Sequence, residues 1–276
     1  MALYQKGQYT AAYQELLGPA QAGDALAQNV LGVLLANGKG GVKQDMPQAL
    51  AWIRRAAAGG NTEATLTLGL AAFYGQGMPQ DRVKGVMWLR KAAEKGDVSA
   101  QVMLGGAYND GLGVKKDAAQ ATTWYRKAAE QGSAVAQTAL GSMYYDGAGV
   151  PVDLKKSVAL YRQAAEQGHL PAIVFLGLAY ESGKGVKQDY QQAERWYQKG
   201  VARNDPHAQF RLAMLYDGHD YLTNKDAQAV ALMMKASDAG WRDAQTILSG
   251  WYEMGSRGLP KDPAKAKALA SKAAAP

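Results

Sequence analysis

Three histidines, His169, His207 and His219, are the residues best suited to metal binding or proton transfer in this chain, and they share no ligand spacing. Each falls in or near a turn, where a solvated imidazole is expected. Cysteine is absent from all 276 residues, which excludes disulfides, thiolate metal sites and cysteine nucleophiles and leaves the compartment open. Glycine pairs recur in DGLGV (110–114), DGAGV (146–150) and SGKGV (182–186). No strand pattern precedes them and no GKS or GKT follows, so they are not phosphate-binding loops. Glu94, Glu130 and Glu166 recur as well, late in helical stretches where solvent accounts for them. No catalytic, cofactor-binding or metal-binding residue is assigned. The polar residues recur because a larger pattern does.

Leucines count that pattern. Leu31, Leu68, Leu104, Leu140, Leu176, Leu212 and Leu248 stand 37 and then five times 36 residues apart. An alanine stands four residues before each, and in five repeats a tyrosine stands four after (Tyr108, Tyr144, Tyr180, Tyr216, Tyr252). Spacings of four place all three on one helical stripe. The residue after each leucine is small: Gly32, Gly69, Gly105, Gly141, Gly177, Ala213 or Ser249. Glycine inside a helix costs roughly 1 kcal/mol against alanine, so its return predicts a neighbouring helix in close approach. Aspartates then open a second helix as N-caps: Asp45, Asp81, Asp117, Asp153, Asp189 and Asp262. Seven residues on, Trp52, Trp88, Trp124 and Trp196 are expected to anchor its core face, as in WYRKAAEQG (124–132). One such helix–turn–helix cannot bury its own stripe; stacked neighbours complete the core.

The combined pattern A-x-x-x-L-G-x-x-Y-x-x-G-x-G-V-x-x-D, followed by W-Y-x-K-A-A-E-x-G, resembles the Sel1-like repeat, a relative of the tetratricopeptide repeat. It covers residues 24–275, and 97–132 matches at nearly every signature position. The resemblance implies an all-α, right-handed α-solenoid of seven helix–turn–helix repeats over 24–276, with 1–23 as a partial N-terminal repeat or cap. Two loops depart from the pattern. DGHDYLTNKD (217–226) lacks the second glycine and MGSRGLPKD (254–262) carries an insertion, although the helices should persist. Met1 falls partway through a helix with no cap before it. The expectation is a segment removed upstream and a periplasmic or secreted location, with the cytoplasm as the alternative.

Some members of this family have been called β-lactamases, but S-x-x-K, S-D-N and K-T-G are all missing, so that activity is not carried over. The resemblance implies a non-enzymatic scaffold that binds another protein in a bacterial envelope, secretion or host-interaction system. An immunity protein that neutralises a secreted toxin is a narrower form, and an enzyme with an unrecognised groove site is the rival class. The net charge of +7 is dispersed, with no basic run longer than two, which disfavours nucleic acid and weakly suits an acidic partner. No apolar run approaches the ~20 residues needed to span a bilayer. For the partner, the face of the first helices opposite the alanine–leucine–tyrosine stripe is left, expected to line a concave surface. Its large side chains, Leu66, Leu70, Phe73, Tyr145, Val174, Leu178, Phe210 and Met214, are the candidate protein-binding residues. The competing expectation is that neighbouring repeats bury them.

Overall fold

An apolar stripe on a 13-residue helix needs a partner helix, and the chain supplies one in every repeat. The protein is described here by a computed structural model over residues 2–218 and 225–275; among these there are sixteen helices and no strand. After α1 (Ala2–Gln5) and α2 (Tyr9–Gln21), two kinds of helix alternate. The first helices are α3 (Ala25–Asn37), α5 (Thr62–Tyr74), α7 (Val98–Asp110), α9 (Ala134–Asp146), α11 (Leu170–Ser182), α13 (Pro206–Gly218) and α15 (Arg242–Met254). The second helices are α4 (Met46–Ala58), α6 (Arg82–Glu94), α8 (Ala118–Glu130), α10 (Leu154–Glu166), α12 (Tyr190–Val201), α14 (Asp226–Asp238) and α16 (Pro263–Ala274). Two compact units divide the chain: Met1–Ala136 with Gly147–Pro151, and Gln137–Asp146 with Val152–Pro276. In the first unit α3 packs on α4, α5 on α6 and α7 on α8; in the second α11 packs on α12, α13 on α14 and α15 on α16.

The caps follow the sequence closely. All six expected aspartates accept a hydrogen bond from the backbone N–H three residues on, as Asp117 does from Gln120 at 3.0 Å. The Lys84, Lys156 and Lys265 amides hold the Asp81, Asp153 and Asp262 carboxyls below the usual aspartate range. First helices carry caps that the repeat pattern did not single out: Asp24, Asn61, Asp97 and Asp205. Replacing Asp117 by alanine is expected to cost about 1 kcal/mol through the lost cap, read as a lower denaturant midpoint. At the other end, Gly111 turns left-handed (φ 73°), which closes α7. The insertion at 254–262 leaves α15 and α16 intact, whereas residues 219–224 of the other departing loop lie outside the described residues.

Each glycine after a leucine lies against a side chain of the second helix, with its backbone close behind at Gly32 (Ala49 O, 3.1 Å) and Gly69 (Leu89 N, 3.0 Å). A methyl group on Gly32 would lie 2.5 Å from Ile53, on Gly69 2.9 Å from Leu89, and on Gly105 or Gly141 2.8 Å from Tyr125 or Tyr161. Each partner is the residue immediately after the tryptophan position. Trp124 (7% exposed) and Trp196 (9%) are buried as expected, Trp124 more deeply than half-buried Tyr125, but the expected anchor fails in the other two repeats. Trp52 and Trp88 are only half-buried, and a cation one turn on lies over each indole: Arg55, Lys91, Lys127 and Lys199 over Trp52, Trp88, Trp124 and Trp196. The deepest side chains are their neighbours Ile53, Leu89 and Tyr197. Helical phase explains it: one residue is a 100° step, enough to move from the edge of the buried stripe to its centre.

Polar ties also link successive repeats within each unit. Buried Gln101 donates to the Ala93 carbonyl in the last turn of α6, and buried Gln245 to the Ser237 carbonyl in the last turn of α14. These glutamines satisfy carbonyls that a helix end leaves open.

Candidate protein-binding face of the first helices

Burial sorts the eight candidates. Phe73 (4% exposed), Val174 (1%) and Phe210 (8%) are core residues, which removes them from the accessible face. The reason is position in the repeat. The residue two before the leucine points at the next first helix, as shown by Asn29 Nδ2 donating to Glu63 Oε2 at 3.0 Å and Thr138 Oγ1 meeting His169 Nδ1 at 2.8 Å. Leu66, Val174 and Phe210 occupy that same place, where the larger contact buries the last two, and Phe210 lies beside Trp241 with ring centroids 6.4 Å apart. Phe73 packs on the second helix of its own repeat, where Gly85 leaves room for it. Truncating Phe73, Val174 or Phe210 removes core, not contact surface. Leu66, Leu70, Leu178 and Met214 are half-buried, and Tyr145 is 38% exposed.

Tyr145 and Leu178 come together. In the second unit they line a pocket of about 280 Å³ between α9, α10 and α11. Tyr161 and Phe175 also line it, with ring centroids 5.1 Å apart and tilted by 38°. The Tyr161 hydroxyl pairs with Ser142 Oγ at 3.0 Å, and burial pushes its phenol pKa up. Lys184 Nζ donates to the Tyr145 hydroxyl at 2.7 Å and sits 5.1 Å from that ring's centroid. The sequence named Tyr145 and Leu178 but not Lys184, since a loop residue outside the helical register gives no periodic signal.

Charge is divided by helix type. The seven first helices carry seven acidic and two basic side chains, while the seven second helices carry six acidic and seventeen basic, so the chain's positive balance belongs to the second helices. The net charge therefore misleads about the first-helix face, which carries an acid excess.

His169 and His207 are not solvated turn residues. His169 is half-buried against Thr138, and His207 stacks on Trp241 at 4.6 Å with Arg211 Nε 3.3 Å from its Nε2. Burial lowers the pKa of both, with the Arg211 charge adding to it at His207. His219 lies outside the described residues. An unfolded histidine binds its proton near pH 6.5, above the point where these two do. Their contribution to stability is thus complete above pH 6.5 and lost as pH falls below it. Denaturant midpoints measured at pH 7 and pH 5.5 are expected to drop, and His169→Gln with His207→Gln to flatten part of that drop. Among the described residues there is no group of three or more His, Cys, Asp or Glu that could hold a metal ion, and no helix long and apolar enough to cross a membrane.

Comparison with known proteins agrees with this geometry. A Sel1 repeat protein from Oxalobacter formigenes is 31% identical, with a TM-score of 0.82 over 90% of this chain and 97% of that one. The c5321 protein, a protective antigen present in uropathogenic Escherichia coli strains, is 32% identical with a TM-score of 0.67; the match covers 95% of this chain and 64% of the antigen. The immunity protein Pa5087 from Pseudomonas aeruginosa shares the fold at 20% identity and a TM-score of 0.51, over 77% of this chain and 80% of its own. No curated protein matches. Sel1 repeat proteins are protein-interaction scaffolds. The Sel1 repeat model matches residues 25–61, 62–97, 98–133, 134–169, 170–205, 206–241 and 242–275 without a break, and the chain belongs to that family.

Proposed function

We propose that this protein is a non-enzymatic scaffold that holds a partner protein against the face of its first helices. The carrying observation is a fixed frame with a varied face. The leucine, the small residue beside it and the capping aspartate return from repeat to repeat, while the position two after the leucine reads Leu70, Ser142, Leu178 and Met214, and the position five after it reads Tyr145, Glu181 and Asp217 in the last three of these. A frame that needed only to stack would have no reason to vary there. The acid excess of the first helices favours a partner with a basic surface. Seven repeats over 24–276, preceded by residues 1–23 as a cap, would present that face. Work in a bacterial envelope or host-interaction system is supported by the 32% identical E. coli relative, a protective antigen. Affinity capture from the native cell should return one protein at a stoichiometric ratio, and purified chain should turn over nitrocefin at background. Saturable nitrocefin hydrolysis abolished by a point mutation, with no stoichiometric partner, would overturn the proposal.

A further inference from the structure

We infer that the outer side of α6 is a second docking site, which receives an acidic segment of another protein and seats one apolar side chain of it. The site lies within the first unit and includes none of the candidate residues of the first-helix face, so it goes beyond the scaffold reading. Val83 (61% exposed) and Met87 (58%) point to it. They stand one turn apart, two and six residues after the Asp81 cap, and among the described residues no other second helix carries an exposed large apolar side chain. The same two places hold Ala119 and Thr123 in α8, Lys155 and Ala159 in α10, and Gln191 and Arg195 in α12, all exposed. The repeat frame therefore places small or polar residues there, and α6 departs from it. Single exposed apolar residues need no explanation, but two that line one groove do.

Val83, Val86 and Met87 line that groove together with Gly113 and Val114 of the loop after α7, and it encloses about 350 Å³. A more open hollow of about 800 Å³ adjoins it, sharing Arg90, Glu94 and Val114 and adding Lys115 and Lys116. Charge sets the occupant. The unit's second helices α4, α6 and α8 carry eight basic and two acidic side chains, all exposed. The carboxylates lining the two hollows are Glu94 and Asp117, and Asp117 is engaged as the α8 cap. Arg90 lines both hollows and is held by Tyr108: one guanidinium nitrogen donates to the Tyr108 hydroxyl, and the group sits 5.9 Å from that ring's centroid. Its remaining N–H groups form a planar fork that matches a carboxylate. An acidic segment thus meets complementary charge at Arg90, while an apolar side chain beside its carboxylate enters the groove of Val83 and Met87. A flat anionic bilayer would meet the cations but leave the groove unfilled.

The test follows two labelled peptides on the full chain by fluorescence anisotropy: one leucine between two runs of aspartate, and its counterpart with alanine in place of leucine. The leucine peptide is expected to saturate with a Kd on the order of 0.1 mM, at least about fivefold tighter than the alanine peptide. Val83→Gln with Met87→Ala should bring the two peptides within about twofold of each other, whereas Arg90→Gln should weaken both by about fivefold or more and keep their ratio. These substitutions install what Gln191, Ala159 and Gln198 already provide at the same places, so the variants should keep the wild-type melting temperature. Arg54→Gln, on α4 and in neither hollow, should stay within about twofold of wild type. No saturation by about 1 mM, equal affinity for the two peptides, or an equal loss in Arg54→Gln and Arg90→Gln would overturn the assignment. So would binding to phosphatidylglycerol vesicles that Val83→Gln with Met87→Ala abolishes while neither peptide binds, because the surface would then be a lipid site. Capture of a partner by the first-helix face is a separate measurement, so either reading can fail alone.

Discussion

Tyr197→Ala is expected to lower the unfolding free energy by about 3–5 kcal/mol, the range for emptying a packed aromatic site. Tyr197 is fully buried, the largest such side chain in the core, and fills the space under Gly177. Its hydroxyl donates to Glu181 Oε2 at 2.5 Å, and burial, with the Glu181 charge beside it, pushes the phenol pKa far up so that it remains a donor. Tyr197→Phe keeps the ring and loses only that bond, for about 1 kcal/mol. Denaturant melts of the two variants separate packing from hydrogen bonding. Equal losses would mean that the ring contributes little and the core is centred elsewhere.

Gly177→Ala tests the same contact from the other side. Alanine is ordinarily the better helix residue by up to about 1 kcal/mol. Here its methyl group would overlap the Tyr197 ring, so the change is expected to destabilise by about 1–3 kcal/mol, as overpacking does. Gly250, inside α15, supplies the contrast: a methyl group there meets nothing within 4 Å, so Gly250→Ala should be neutral or stabilising. Thermal melts that give the two substitutions the same sign would show that the small position is not a packing contact. Because helical repeats unfold partly as neighbours, amide exchange in α11 should report Gly177→Ala more sharply than a global melt.

The frame was legible because it repeats. The 36-residue phase of leucine, small residue and aspartate fixes where helices begin and which face is buried, and the Sel1 resemblance follows from that phase. What the phase does not resolve is a difference of one residue around the helix. Tryptophan, the conspicuous residue, reads as the anchor, and Trp124 is one, yet Leu89 and Tyr197, each one step on, lie deeper than Trp88 and Trp196. The face opposite the stripe was harder still. Two positions there look equivalent on a helical wheel, but contact with the next repeat buries Val174 and Phe210 while Leu178 and Met214 stay half-exposed. That contact depends on how helices stack, which one helix's periodicity does not encode. The Lys184 bridge to Tyr145 spans 39 residues and joins a loop to a helix, so no local pattern signals it.

The most direct measurement is the affinity of the captured partner for wild-type chain, Tyr145→Ala and Lys155→Glu. Tyr145 stands exposed on α9 and Lys155 exposed on α10, so both variants should keep the wild-type melting temperature. Partner recognition through the first-helix face predicts that Tyr145→Ala weakens binding by roughly thirtyfold or more, as truncated interface anchors do, and that Lys155→Glu stays within about twofold. Loss of binding in Lys155→Glu, with Tyr145→Ala unchanged, would place the partner on the second helices and contradict the account.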